Sequence, residues 1–387
     1  MAEGVVDVAV IGRGMIGSAA ARHLAEAKIS VALIGAGEAP DYGTSAVPFA
    51  SHYDQGRITR ISDSSSVWST LAARSIERYA DIAARSGIGF HTASSLAHVS
   101  DQPDALLAHC EANGGRARVV SREWLREQTG ISISPECSGQ VVYEDPPAGH
   151  INPRRLVEAQ TALTRLAGGK IIDAAANSIA STATGFVVAT EHGDVAARRV
   201  LLATGAYGAN LGGVDLALER RLRTIVLAEL GPDPEIPSLI VERVRNPALE
   251  EIYWVPPVAF PEGRVMLKIG GTMVQTEVAD NDADIARWFQ QGGSIYEVAA
   301  LRSTVHDLLP GASITSWDHK PCVVTATSSG RPYVGFIADD LAVAVGGNGA
   351  AAKSCDEIGR LAASLFGTKG WAGGDLDQLQ FSPQLAT

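Results

Sequence analysis

The run Val5 to Ile11 is apolar except at Asp7, Met15 to Ala27 has helix-forming composition, and Val31 to Ile34 is apolar throughout, with glycines after each apolar run. Short continuous apolar runs mark strands buried on both faces, so the first 34 residues predict a strand–helix–strand unit with a parallel pairing. Ser45 to Ser66 is polar, with two arginines and few aliphatics, and reads as a long loop or broken helix. Helical periodicity resumes over Val67 to Ala84, where Trp68, Leu71, Ile76, Tyr79 and Ile82 share a face. Short strands and helices then alternate from about Gly87 to Tyr143 (Ala97–Val99, Asp104–Ala112, Arg122–Thr129), and Pro153 suits the first turn of a helix of about fifteen residues.

Lys170 to Thr190 predicts two or three strands, and Val200 to Ala206 a buried strand ending in small residues. Thr224–Leu230, Ile252–Val255 and Val265–Ile269 read as strands of a larger, mostly antiparallel sheet, and Leu341 to Gly370 as strand, glycine turn and helix. Helix–strand alternation at both ends with a β-rich middle predicts an α/β protein. A Rossmann-type domain is assembled from discontinuous segments (1–86, 149–212 and 321–387), and an inserted α+β domain (87–148 and 213–320) carries the antiparallel sheet.

Gly12-Arg13-Gly14-Met15-Ile16-Gly17 follows the first strand and opens the first helix, where a dinucleotide fingerprint needs its glycines. The first makes the turn, the second lets backbone approach a pyrophosphate, and the third lets helix and strand pack closely. An acid normally ends the second strand and binds a ribose hydroxyl, but Gly35 stands there. The next charged residue is Glu38, which would repel the 2′-phosphate of NADP, and plain NAD is weakened by the same loss. FAD, anchored by a larger surface, tolerates one missing ribose contact best; Glu38 is the candidate substitute for the acid.

The chain of 387 residues is 46% hydrophobic and carries a net charge of −11, enough to bury a large core and to disfavour nucleic acid as a partner. Its N-terminal MAEGVVDVAVIG lacks a basic leader, and no apolar run approaches the roughly 18 residues that span a bilayer, so the expectation is a cytoplasmic protein without membrane attachment. Cys110, Cys137, Cys322 and Cys355 show neither a disulfide framework nor metal-ligand spacing, and no metal is expected.

Four downstream stretches occur in one order: Ser51-His52-Tyr53-Asp54-Gln55-Gly56-Arg57-Ile58-Thr59-Arg60, Val265-Met266-Leu267-Lys268-Ile269-Gly270, Lys320-Pro321-Cys322, and Gly346-Gly347-Asn348-Gly349-Ala350-Ala351-Ala352-Lys353. In this register the chain resembles the monomeric sarcosine oxidase and N-methyl amino acid oxidase family, a branch of the D-amino acid oxidase superfamily, over nearly its whole length. The resemblance implies FAD at a domain interface, oxidation of an amino acid C–N bond to an imine that hydrolyses, and return of electrons to dioxygen with release of hydrogen peroxide. It assigns Arg57 and Lys268 to one flavin face, where the lysine supports reaction with oxygen, and Arg60 and Lys353 to the substrate carboxylate on the other. Cys322 corresponds to the covalent flavin attachment through the 8α-methyl group, and Tyr253 to an aromatic wall of the substrate cavity. Gly12, Gly14, Met15, Ile16, Gly17, Ser51, Gly205, Gly347, Asn348 and Gly349 complete the expected cofactor contacts.

The physical chemistry agrees with these roles. An arginine fork donates two parallel charge-assisted hydrogen bonds to a carboxylate. A lysine beside a flavin stabilises negative charge on the reduced ring and on superoxide, and a helix beginning near Ala351 directs its positive end at the anionic flavin edge. Arg57 and Arg60 also fit a solvated face, Lys268 an edge-strand lysine, Cys322 a small core residue, and Tyr253 and Trp254 core aromatics. Two positions depart from the family: Thr272 where sarcosine-specific members have histidine, and Ala350-Ala351-Ala352 where they have aromatics. Both imply a cavity of different shape, suited to a bulkier secondary amino acid or a dicarboxylic one such as iminodiacetate. A D-amino acid oxidase, a flavin dehydrogenase with another acceptor, and a flavin-binding redox sensor without turnover remain open, and a monomer is compatible with the sequence.

Overall fold

The computed structural model describes residues 4–38, 48–207, 211, 213–231 and 236–386. The N-terminal unit forms as the apolar pattern predicts. Strand Val6–Ile11 pairs in parallel with Val31–Ile34 on one side and Gly193–Leu202 on the other, and helix Met15–Glu26 crosses between the first two strands. Lys170–Ile172 extends the parallel core beyond Val31–Ile34, and Leu341–Val345 pairs in parallel with the C-terminal half of Gly193–Leu202. Ala176–Thr182, Gly185–Thr190 and Tyr333–Ala338 add antiparallel edges, so eight strands drawn from three distant segments make one sheet.

One face of this sheet packs Val8, Val10, Leu33, Leu201 and Ala342 against helices Met15–Glu26 and Ala351–Ser364. Gly359 allows the close approach of these helices, since a Cβ there would lie 2.6 Å from the Ala19 Cβ. Helices Ser66–Ser86 and Pro153–Leu166 form the next layer, where Ile76, Tyr79, Ile82, Leu156 and Leu163 pack together with Cys355. Across this layer the fully buried Asp356 accepts from Arg22 Nη2 at 2.7 Å, Arg78 Nε at 2.5 Å and Gln160 Nε2 at 2.9 Å. A buried carboxylate with two arginine donors stays ionised, and its pKa lies well below the usual carboxylate range despite burial.

A second sheet of nine strands runs through Leu96–Ser100, Gln140–Glu144, Ser238–Glu242, Leu249–Ala259, Val265–Met273, Leu218–Leu230 and Ile314–Thr327, with Ala117–Val120 and Val278–Ala279 at its ends. All its pairings are antiparallel except Leu96–Ser100 with Ser238–Glu242. Helix Ile295–Leu308 covers one face, burying Val298, Leu301 and Val305 against Val226, Trp254, Leu267 and Ile269. Residue 321 falls inside Ile314–Thr327, which pairs along the whole of Leu218–Leu230 and so stays with this sheet. Neither this strand nor helix Ile295–Leu308 is marked in the sequence by strong periodicity; the strand holds Asp318, His319 and Lys320 within it. No helix among the described residues is long and apolar enough to cross a membrane.

Candidate active site

The glycines of the fingerprint are set by contact. Gly12 has φ +109°, and a Cβ there would stand 2.2 Å from the Ala203 carbonyl oxygen; one on Gly17 would stand 1.9 Å from the Gly12 oxygen. Gly14 differs: a Cβ there would meet nothing closer than His52 Nδ1 at 3.9 Å, so its backbone borders open space. That space is a cleft partly open to solvent, and Gly12, Gly14, Met15, Ile16, Ser51, Gly205 and Gly347 line it. Two helix N-termini border the cleft, at Met15 and Ala351, and neither has a side-chain cap nor an acid in its first turn. Uncapped N–H groups with the positive end of a helix dipole behind them form an anion site. The donor set and the glycine cradle therefore fit the phosphates of a dinucleotide.

The ribose end resolves the question posed by Gly35. A Cβ on Gly35 would lie 2.6 Å from both the Cβ and the N of Arg13, so an acid at this position is sterically excluded by the arginine inside the fingerprint. Arg13 instead pairs with Asp173, one residue beyond the neighbouring parallel strand Lys170–Ile172, at 2.8 Å; the same carboxylate oxygen accepts from Gly37 N at 2.7 Å. Glu38, the expected substitute, is held in a bidentate pair by Arg154 at 2.5 and 2.6 Å. His52 also lines the cleft, edge-on to Tyr53, and burial drops its pKa to about 3, so it is neutral. His52 belongs to the stretch that carries the family resemblance but was not among the expected site residues.

The chemistry-bearing side chains lie deeper, in two groups. Residues alternate across a strand, and the register pairs Leu227 with Lys268, Lys268 with Val255, and Arg223 with Cys322. Tyr253, Lys268 and Cys322 therefore share the face opposite helix Ile295–Leu308, while Trp254 points into the core and donates to the Pro237 carbonyl at 2.9 Å. Gly56 brings the loop before Arg57 against this face, since a Cβ there would stand 2.7 Å from Val255 Cγ1. Lys268 is fully buried; it donates to Gly56 O at 2.8 Å, forms an ion pair with Asp54, and lies 5.6 Å from the Tyr253 ring centre. Arg57 pairs with the same Asp54 oxygen at 3.3 Å and reaches Ser51 O at 2.6 Å and Cys322 Sγ at 3.6 Å. Tyr253 lies over Gly270, where a Cβ would come 2.5 Å from its hydroxyl.

Burial lowers the Lys268 pKa to about 8, helped by Arg57 and opposed by Asp54. Burial would raise Asp54, but Lys268 and Arg57 outweigh it and hold the carboxyl at about 2. The group is thus two cations around one anion near neutral pH.

In the second group, Arg60 Nη1 donates to Asp63 Oδ2 at 2.7 Å and Lys353 Nζ to the same oxygen at 2.9 Å, while Oδ1 accepts from Ser65 N at 3.0 Å. Lys353, in the first turn of helix Ala351–Ser364, is 4% exposed, and burial brings its pKa to about 8 despite Asp63. Asp63 is held far below the usual range by Lys353 and Arg60, against the effect of its burial.

Sequence reasoning brought the four cations forward but missed both aspartates. Their signal was present: Asp54, Arg57, Arg60 and Asp63 recur every third residue, so each arginine has an acid three positions away and each acid meets a lysine from a distant segment. Asn348, an expected cofactor contact, is turned into its own loop: its side chain accepts from Thr327 N at 2.9 Å and donates to Gly346 O at 2.7 Å. With φ +48° at Asn348 and +73° at Gly349, it shapes the turn that presents the helix N-terminus. Gly17 and Gly349 likewise stay out of the cleft lining, as do Arg57, Arg60, Tyr253, Lys268, Cys322 and Lys353. Arg57 links the deeper group to the cleft through Ser51, and Val323, next to Cys322, forms part of its wall. No group of three or more potential metal ligands is present among the described residues.

The fold has close relatives among solved structures. NikD, an unusual amino acid oxidase essential for nikkomycin biosynthesis, superposes in its open form with a TM-score of 0.79 at 18% identity, covering 100% of this chain and 99% of that one. Glycine oxidase from Geobacillus kaustophilus gives 0.70 at 20% identity over 98% of both chains. L-proline dehydrogenase from P. horikoshii gives 0.73 at 15% identity, over 98% of this chain and 96% of its own. Comparison with curated protein sequences gives no match. The family model described as FAD dependent oxidoreductase matches residues 7–365, a span that holds the fingerprint, both Asp-centred groups and the C-terminal glycine turn. The chain belongs to this family of FAD-dependent oxidoreductases.

Proposed function

We propose that this enzyme oxidises the C–N bond of a secondary (N-alkyl) amino acid, as the sarcosine and N-methyl amino acid oxidases do, and passes the electrons to dioxygen. One observation carries the reading. Within residues 54–63, two arginines and two aspartates gather two buried lysines from separate segments into two groups, one hydrogen-bonded to Cys322 and the other at the N-terminus of a helix bordering the cleft. The amino acid oxidases and the proline dehydrogenase among the solved structures of this fold support an amino acid as the substrate.

In this reading the N–H groups at Met15 and Ile16 would hold the FAD pyrophosphate, the helix N-terminus at Ala351 would supply positive potential to the ring, and Cys322 would be the residue that tethers it. Bound FAD supplies the two-electron acceptor. The chain supplies field and position. Arg60 and Lys353 bind the substrate carboxylate, using the donors that Asp63 leaves over, and fix the amine relative to the ring. Their positive charge favours the neutral, oxidisable form of the amine. Arg57 and Lys268 hold a positive potential in a buried setting, where it stabilises developing negative charge more than it would in water. The ring of Tyr253 walls the space beside Lys268.

Anaerobic mixing of the purified yellow protein with a panel of N-methyl amino acids tests the reading. Bleaching of the flavin absorbance by at least one of them, and stoichiometric peroxide on admission of air, are expected. Absence of bleaching with every N-methyl amino acid, together with bleaching by a primary D-amino acid, would overturn it in favour of a D-amino acid oxidase.

A further inference from the structure

We infer that Asp63 is a specificity-determining residue: it occupies part of the Arg60–Lys353 cation pair as a built-in carboxylate, so that the remaining site accepts one carboxylate and discriminates against dicarboxylates. The inference rests on the carboxylate site proposed above and names the substrate class it admits.

Asp63 is 6% exposed, and its two oxygens are fully committed, Oδ2 to Arg60 and Lys353 and Oδ1 to Ser65 N. It sits ahead of helix Ser66–Ser86, and its backbone carbonyl is bonded to His109 Nδ1 at 2.8 Å, so both ends of the residue are anchored. Displacing it would leave a buried carboxylate without its cations, which is strongly unfavourable. A substrate carboxylate therefore joins Asp63 rather than replacing it.

The donor inventory leaves room for this. Lys353 has three N–H groups, one given to Asp63 and one to Trp68 O at 3.4 Å, and Arg60 gives only Nη1 to Asp63. One ammonium N–H and the rest of the guanidinium fork remain. The charge count is as restrictive as the donor count: two cations and one aspartate leave a single net positive charge, which one carboxylate neutralises. Glu144 stands behind, its carboxylate bonded to Ile61 N at 2.7 Å, Ser62 N at 3.0 Å and the Ser62 hydroxyl, and its field reaches Lys353. At the Arg60–Lys353 pair a second substrate carboxylate would meet no remaining net charge, and an acid lies behind the pair. The roomier cavity implied by Thr272 and the alanine turn thus admits apolar bulk rather than a second charge.

The test uses the FAD holoenzyme and two non-oxidisable ether analogues of the candidate substrates, methoxyacetate with one carboxylate and diglycolate with two. Each is titrated by the perturbation of flavin absorbance at about pH 6.5, where Lys353 is protonated. Wild-type protein should bind methoxyacetate at least about tenfold more tightly than diglycolate, and Asp63→Asn, which restores the second net charge, should shrink that ratio by about tenfold or invert it. A wild-type preference for diglycolate, or an unchanged ratio in D63N, would overturn the inference while leaving the carboxylate site standing. If neither analogue binds the wild type, the site itself is refuted. Should D63N fail to fold, the wild-type ratio alone decides.

Discussion

Lys268 carries its charge where burial works against it: its pKa is lowered to about 8, and Asp54 keeps it from falling further. If the lysine supports reaction with oxygen, the rate of flavin reoxidation in stopped-flow measurements should decline as pH rises through about 8, because the ammonium is then lost. Replacing it (Lys268→Met) should slow reoxidation by about 10²–10³ and leave anaerobic reduction by substrate nearly unchanged; equal loss in both half-reactions would contradict the assignment. Cys322 gives a second test at this scale. Acid precipitation of wild-type protein should carry the yellow chromophore into the pellet, and Cys322→Ser should release it to the supernatant. The cations at these positions were legible through the family resemblance of their motifs, since arginines in a polar loop also fit a solvated face; only Lys268, on an apolar strand, was marked by the cost of burying a charge. Asp54 and Asp63 were not, because an acid in a polar loop looks solvated until the distant lysine that desolvates it is in place.

At the scale of elements, the apolar runs located the N-terminal part of the parallel core well: Val31–Ile34 matches the expected strand, and Val6–Ile11 and Met15–Glu26 differ from expectation by a residue at an end, whereas the strand expected over Val200 to Ala206 runs instead over Gly193–Leu202. The antiparallel sheet was harder to read. Its strands exceed their apolar stretches, Leu218–Leu230 beginning six residues before Thr224, because the polar residues there alternate onto a face that holds the site. The ion network at Asp356 was invisible for the same reason as Asp54: its partners Arg22, Arg78 and Gln160 lie on three other helices. Asp356→Ala strands two arginine side chains around an empty acceptor and should destabilise the fold by about 3–5 kcal/mol in urea unfolding; a change near zero would show that the network contributes little. Gly35 illustrates a different limit, in which a missing motif residue is explained by a neighbour: Arg13 fills the space an acid side chain would need.

For the whole molecule, buried ion pairs make acid the vulnerable side. Asp54, at about 2, and Asp63 and Asp356, both held well below the usual carboxylate range, all have folded-state values beneath their unfolded ones. Each contributes stability that is present above about pH 4 and lost as pH falls through the folded values, since protonation then favours the unfolded chain. Thermal unfolding should show a melting temperature that drops steeply from about pH 4 downward; a flat profile between pH 5 and pH 2, measured by circular dichroism, would contradict the pairings. The three segments that supply the site, residues 51–63, 265–270 and 346–353, meet only because the two sheets bring them together. A crystal structure of the holoenzyme with methoxyacetate tests that convergence most directly. The account predicts the flavin ring between the two Asp-centred groups, bonded to Cys322, with the ligand carboxylate on Arg60 and Lys353. A ring remote from Cys322 and Lys268, or a carboxylate bound away from Arg60 and Lys353, would contradict it.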